Sequence, residues 1–219
     1  MTSTSWGMWA ILLFVAFLSG SLPFSVWIGR WGLKRDIRGV GDHNPGATNV
    51  FRAGGKGLGA LALLLDMLKG AIPVGVAYFG LGLSGWPLAT ICWMPVLGHA
   101  FSPFLGFQGG KAVAVTGGIW IGLTAWEGIT VGGVALLLFF ALLTVDGWAL
   151  MAAQAVLLSY FALTPDSFNG LVQRPDFVSV ILPAWLGIVA ILIYKHRHDL
   201  TQRPDLRLKW RPGPRRRVP

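Results

Sequence analysis

Residues 1–29 contain no charged side chain, and apolar runs of similar length recur almost to the end of the 219-residue chain. A helix that crosses a bilayer needs roughly 20 mostly apolar residues. Seven such segments are expected, at about 6–29, 57–80, 86–106, 112–127, 128–145, 148–164 and 177–195. The fourth is short and meets the fifth at a tight turn around Glu127–Gly128. Turn-rich stretches, GLGLSGWP and TPDSFNGLVQRPD, separate the second from the third and the sixth from the seventh. Charged residues make up 12% of the chain, about half the ~25% usual in a soluble domain. The sequence therefore reads as one all-α membrane domain over 1–200 followed by a basic tail at 201–219. The closing RPGPRRRVP is expected to be a disordered segment near anionic lipid. A secretory leader would carry its cations ahead of the apolar run. Here they follow it, which argues for a retained first span.

The formal net charge is +9. In a soluble protein that would raise nucleic acid as a partner; here the placement of the cations argues otherwise. Sixteen of the eighteen Lys and Arg lie in 30–56, at Lys111, or from Lys195 onward, all on one side of a seven-span arrangement. Lys69 lies within a span and Arg174 on the other side. Cytoplasmic loops are rich in Lys and Arg, so the N-terminus is expected outside and the C-terminus in the cytoplasm. No nucleic-acid partner is inferred. Cys92, the single cysteine, sits in the apolar run ATICWMPVL and forms no internal disulfide. The four histidines lack metal-ligand spacing, so no metal is expected.

Three unusual stretches fall on the cation-rich side. The first, GDHNPGATNVFRAGGKGLG at 41–59, combines glycines, which let backbone N–H groups approach a ligand, with Arg52 and Lys56. Asn44, Thr48 and Asn49 add neutral donors and acceptors. This composition suits a phosphate or phosphate ester, and equally a glycine-rich turn that caps the second span. The second, GHAFSPFLGFQGGKAVAV at 98–115, sets His99 in an apolar run, where a polar group is costly unless paired, and its place beside GGK makes it a candidate substrate contact. It then places Gly109, Gly110 and Lys111 at a helix start, an anion-binding position. The glycine spacing of a P-loop is missing. The third, YKHRHDLTQRPDLRLKW, follows the last span. His196 and His198 are bases or phosphate donors, or members of an ordinary basic flank. Within the second span, Asp66 and Lys69 share a helix face, as an ion pair supporting the loops or as a substrate contact.

Taken together, GSLPFSVWIGR, DIRGVGDHNPGATNVFRAGGKGLGALALLLDMLKG, GHAFSPFLGFQGGKAVAV and HRHDL resemble the bacterial acyl-phosphate:glycerol-3-phosphate acyltransferases, the PlsY type, over nearly the whole chain. The resemblance implies a multi-pass protein of the bacterial inner or plasma membrane with its active site facing the cytoplasm. It implies transfer of a fatty acyl group from acyl-phosphate to the 1-hydroxyl of sn-glycerol 3-phosphate in phospholipid synthesis, without a cofactor. By the same resemblance, Gly109, Gly110 and Lys111 hold the glycerol phosphate. Arg52, with Asn44, Thr48 and Asn49, holds the acyl phosphate and stabilises charge at the attacked carbonyl. His196 orients a phosphate or helps to move the hydroxyl proton, and the departing phosphate is an alternative acceptor for that proton. No H-x4-D motif of the other glycerol-phosphate acyltransferases is present.

The chain departs from the family pattern at several positions. Asp42 stands where a serine is usual in GSGN, Ala112 where GGKG has its last glycine, and Asp199 where HR-x-N has asparagine. TVDGWAL at 144–150 lacks the usual hydroxyl and basic residues. Asp42 is expected to repel phosphate unless His43 or Arg52 neutralises it, and Ala112 to weaken glycerol-phosphate binding. These changes leave room for a divergent relative with another acyl acceptor, or a non-catalytic partner in lipid synthesis. A transporter would show repeat symmetry and broken helices at mid-membrane, and the sequence shows neither.

Overall fold

The computed structural model describes residues 6–207, so the RPGPRRRVP segment lies outside the described residues. The described chain is helical, as expected. In chain order the α-helices are α1 (Trp6–Ser21), α2 (Phe24–Gly32), α3 (Ala47–Arg52), α4 (Lys56–Gly75), α5 (Gly85–Ala100), α6 (Val113–Thr124), α7 (Glu127–Leu142), α8 (Asp146–Leu163), α9 (Leu182–Lys195) and α10 (Arg197–Leu200). A π-turn at Val76–Gly80 prolongs α4, and another at Phe177–Ile181 leads into α9.

All seven apolar segments form helices, but they are not equivalent. Five are long and apolar enough to cross a membrane: Trp6–Gly32, Lys56–Gly80, Gly85–Leu105, Asp146–Leu163 and Phe177–Lys195. α6 and α7 are apolar but have 12 and 16 residues, about 18 and 24 Å at 1.5 Å per residue. Both fall short of a hydrocarbon core of about 30 Å. The turn between them is at Ala125–Trp126 rather than Glu127–Gly128, because Glu127 already begins α7 and is fully buried.

The first span is broken. Pro23 has no N–H to continue the ladder, so the chain stops at Ser21 and restarts at Phe24. In an apolar surrounding the freed carbonyls need donors. Ser102 Oγ donates to the Ser21 carbonyl (2.6 Å) and Lys69 Nζ to the Leu22 carbonyl (3.0 Å). The break thus joins α1 and α2 to α4 and to the segment after α5.

Helices pack as α1 on α5, α4 on α6, and α7 on α8. Two glycines set the closest approaches, as small residues do between membrane helices. A Cβ at Gly98 would lie 2.1 Å from the Phe17 carbonyl oxygen, and one at Gly118 would lie 1.8 Å from that of Met67. At one end of the bundle Glu127 Oε1 accepts from Arg174 Nη1 (3.2 Å) and from the Tyr160 hydroxyl (2.8 Å). Arg174, expected as a lone loop cation, is instead buried against the helix ends. At the other end the loops at 33–55 and 106–112 meet the last residues. Residues 201–207 fold back over the α7–α8 junction, where Trp148 Nε1 donates to the Gln202 carbonyl and the Arg207 N–H to that of Leu142.

Candidate active site

The loop between α2 and α4 is shaped by its own polar side chains. Asp36 caps the short turn Ile37–Gly39 by accepting from the Arg38 N–H, and it pairs with the Arg30 and Arg38 guanidiniums. These bonds hold its carboxyl well below the usual carboxylate range. Gly41 and His43 follow with left-handed φ of 59° and 60°, and this curls the chain back on itself. Asn49, on α3, closes the curl. Its Nδ2 donates to Asp42 Oδ1 (3.1 Å) and to the Asn44 carbonyl (2.8 Å), and its Oδ1 accepts from Arg52 Nη1 (3.1 Å). Asn49 is buried and its amide is fully spent inside the loop. It does not line the cavity described below. Thr48, in contrast, is exposed on the cavity wall.

The second loop is locked from below. The Gly110 N–H donates to the His99 carbonyl (3.0 Å), and a Cβ on Gly110 would sit 2.3 Å from His99 Nε2. The Lys111 N–H donates to Asn44 Oδ1 (2.9 Å). The amides of Gly110 and Lys111 are therefore not free for an anion. Free donors come two residues later. The first N–H groups of α6 have no intrahelical acceptor, and Val113 and Ala114 line the cavity. Lys195 Nζ donates to the carbonyls of Ala100 (3.0 Å) and Gly109 (2.9 Å), fastening the loop to the end of α9. Sequence reasoning took Lys195 for an ordinary flanking cation, because the carbonyls it binds are some 90 residues away.

Charge converges on Lys111. Its Nζ lies 3.2 Å from Asp42 Oδ2 and 3.3 Å from Asp199 Oδ2. Arg52 Nη1 is 3.5 Å from Asp42 Oδ1. Burial by itself would raise the Asp42 carboxyl, but Lys111, with the bonds from Asn44 and Asn49, holds it down. Burial likewise opposes the Lys111 charge, and Asp199 and Asp42 restore it and raise the ammonium above its ordinary value. Of the two residues expected to neutralise Asp42, Arg52 pairs with it and His43 does not: the His43 Nδ1 bonds the Arg38 carbonyl (2.9 Å). Lys111 adds a second partner. Two of the departures from the family pattern, Asp42 and Asp199, thus meet at one lysine.

His196 is buried beside them. Its Nδ1 lies 2.9 Å from the Leu192 carbonyl, which only accepts, so Nδ1 carries the proton and Nε2 keeps a lone pair. Burial pushes the imidazole below its ordinary value, and Lys111 adds to this. His198 is exposed and does not line the cavity. Asp66 and Lys69 form a buried pair (2.8 Å), and Ser25 Oγ donates to Asp66 Oδ2 (2.7 Å). Asp66 also lines the cavity described below. Ser25 was not singled out beforehand, since a serine forty residues away gives no local signal.

Asp42, Asn44, Thr48, Arg52, Asp66, His99, Lys111 and His196 border one cavity of about 480 Å³, whereas Asn49, Lys69, Gly109, Gly110 and Asp199 do not line it. Asp42, Asn44, Thr48, Arg52, Lys111, Asp146 and His196 surround its charged mouth. The remainder runs between α4, α6, α7 and α8, lined by residues such as Met67, Ile129, Leu136, Leu150 and Leu157. A polar head and an apolar tail fit such a shape. Residues 10–203 match the family model described as glycerol-3-phosphate acyltransferase. The chain belongs to the glycerol-3-phosphate acyltransferase family. Among its curated relatives, the glycerol-3-phosphate acyltransferase of Leptospira borgpetersenii serovar Hardjo-bovis (strain JB197) is 36% identical over 87% of this chain and 86% of its own. That of Thioalkalivibrio sulfidiphilus is 39% identical over 86% and 87%. Crystal structures of PlsY (YgiH), an integral membrane glycerol 3-phosphate acyltransferase, superpose in their glycerol 3-phosphate and lysophosphatidic acid forms. The TM-scores are 0.71 and 0.70 at 32% and 29% identity, over 88% of this chain and 90% of those. A multi-pass acyltransferase of the bacterial membrane is thereby the family frame for every residue above.

Proposed function

We propose that the chain transfers a fatty acyl group from an acyl phosphate to the 1-hydroxyl of sn-glycerol 3-phosphate, releasing lysophosphatidic acid and phosphate. The observation that carries this reading is the cavity with a charged mouth and an apolar interior. Both substrates bear phosphate, and one bears a long chain. The relatives' shared activity supports the acceptor.

In this scheme the fatty chain lies between α6, α7 and α8, with its carbonyl at the mouth. Lys111 and the first-turn amides of α6 bind the glycerol phosphate, with Gly109 and Gly110 shaping the loop. Arg52, beside Thr48 and Asn44, takes the acyl phosphate. The glycerol hydroxyl oxygen attacks the carbonyl carbon, and the bond from that carbon to the phosphate oxygen breaks. Arg52 offsets the charge that develops. The hydroxyl proton passes to the departing phosphate or to His196 Nε2. No protein nucleophile and no cofactor takes part. His99 and Lys195 keep the second loop in place.

The proposal includes the topology. Seven crossings, with the two short helices α6 and α7 spanning as a pair, put the N-terminus outside and the cationic end in the cytoplasm. The one-sided distribution of Lys and Arg supports this orientation. An exposed-cysteine scan of the mouth loops on sealed vesicles checks it.

A second reading has its own observation. Asp42 and Asp199 occupy the lysine that the glycerol phosphate would need, which favours a relative that takes a less anionic acceptor. Purified protein in detergent, given palmitoyl phosphate and labelled sn-glycerol 3-phosphate, separates the two. Lysophosphatidic acid formed from the acyl phosphate and not from acyl-CoA supports the first reading. Its absence, beside an active relative under the same conditions, supports the second.

A further inference from the structure

Asp205, Leu206 and Arg207 lie beyond the residues that the family model matches, and they are firmly held. They run antiparallel to the α7–α8 junction, with Leu206 bridged to Leu143. The Thr144 N–H donates to the Asp205 carbonyl (3.0 Å), the Asp205 N–H to Thr144 Oγ1 (3.0 Å), and the Arg207 N–H to the Leu142 carbonyl (2.8 Å). Arg207 Nε donates to the Leu143 carbonyl (2.6 Å), and its Nη2 lies 3.7 Å from Asp146 Oδ1. This strap bears on the mouth. Asp146 lines the cavity. A Cβ at the next residue, Gly147, would lie 2.7 Å from Asp199 Cβ and 3.4 Å from His196 Cβ. The start of α8 therefore packs directly on His196 and Asp199, and whatever steadies the α7–α8 junction steadies both. Residues 208–219 then add Lys209, Arg211, Arg215, Arg216 and Arg217 and no acidic residue. Each Lys or Arg near an anionic bilayer surface strengthens attachment by about fivefold. Trp210 stands among them, a residue type favoured at the headgroup level.

We propose that residues 208–219 bind anionic lipid headgroups beside the mouth and, through the strap, hold the α7–α8 junction on His196 and Asp199, so that the protein turns over faster in an anionic membrane. The guanidinium of Arg207 is taken up by the strap, so the cations from Lys209 onward are the ones that meet lipid. Fixing the chain just past Arg207 reduces the conformational freedom gained when the strap lets go, and the seated strap is thereby favoured. The attraction is between exposed charges, so salt weakens it. The turnover effect rests on the acyl-transfer reading; the lipid contact and the seating of the strap do not.

The test compares the full chain with a variant ending at Arg207, each placed in vesicles of phosphatidylcholine, alone or with phosphatidylglycerol as about one-third of the lipid. Hydrogen exchange is followed at the Thr144 and Arg207 amides, together with lysophosphatidic acid formed from palmitoyl phosphate and sn-glycerol 3-phosphate. In the full chain, phosphatidylglycerol should slow exchange at both amides and raise turnover, each by about tenfold, less than two cations' worth of attachment. The shortened protein should show neither response and should match the full chain in phosphatidylcholine. A chain carrying Arg215→Gln, Arg216→Gln and Arg217→Gln together should lose most of both responses, and it decides the matter if the shortened protein fails to fold. Equal responses in the full and altered chains, as a general effect of lipid charge on the substrates would give, overturn the proposal. Unchanged exchange in the full chain also overturns it. Absence of lysophosphatidic acid in either lipid overturns the acyl-transfer reading and the turnover effect with it, while the exchange result still decides the lipid contact.

Discussion

The molecule holds two kinds of ion cluster, and they differ in closure. Asp66–Lys69 and Glu127–Arg174 have side chains 2% exposed or less, with Ser25, Tyr160 or a helix-break carbonyl completing them. The Lys111 cluster has its lysine 30% exposed and its carboxylates 41% and 25%. Inside a membrane domain, a sealed pair holds helices in register. An open cluster exchanges partners at little cost, because water and an incoming phosphate replace what a carboxylate gives up. Composition alone would count both as intramembrane charge. Closure separates support from chemistry.

The sharpest way to break this comparison is to unpair a sealed cluster. Lys69→Met or Arg174→Met leaves a buried carboxylate uncompensated and should cost roughly 3–5 kcal/mol, read as a large fall in melting temperature in detergent. A small shift would put these pairs in the same class as the open one. Next comes Arg52→Ala, expected to lower kcat about 100-fold with the melting temperature almost unchanged; Lys111→Ala should instead chiefly raise the KM for glycerol phosphate. If either variant unfolds like Lys69→Met, the open cluster is structural. Removing competition should work in the other direction. Asp199→Asn or Asp42→Ser frees Lys111 and should lower that KM by about tenfold, a charge-assisted hydrogen bond's worth. No change would mean that the carboxylates move aside without cost.

A smaller effect is expected at Ala112, whose φ of 63° is left-handed and whose side chain is buried. Non-glycine residues there cost about 1 kcal/mol, so Ala112→Gly should stabilise by roughly that amount, seen by thermal melting. The smallest concerns pH. The folded imidazole of His196 titrates below its unfolded value. Between those two values the unfolded chain binds the extra proton, so stability falls as pH drops through 6.5. Activity should hold down to about that pH and decline only below it. In His196→Asn the acidic limb should vanish from the pH–rate profile.

Much of the bundle was legible because helical spans announce themselves by length and apolarity. The helices begin and end within a few residues of expectation, and the cavity gathers Asn44, Thr48, Arg52, His99, Lys111 and His196 as the motifs suggested. What stayed hidden was long-range. Nothing local says that Lys195 will hold carbonyls at Ala100 and Gly109, that Asp42 and Asp199 will share a lysine, or that Pro23 will break a span. The departure at Ala112 was visible as a residue change, but its meaning lay in a dihedral angle. The backbone keeps the left-handed turn that glycine would adopt freely, so the loop's path survives the substitution and its ease does not.

The placement of Lys195, His196 and Asp199 also bears on biosynthesis. These residues fasten and complete a mouth whose other walls come from earlier residues, Asp42 to Asp146. A ribosome must therefore deliver nearly nine-tenths of the polypeptide before the mouth has all its sides. Until then Lys111 lacks its late partner Asp199, and the loop that carries it is not yet fastened at Ala100 and Gly109.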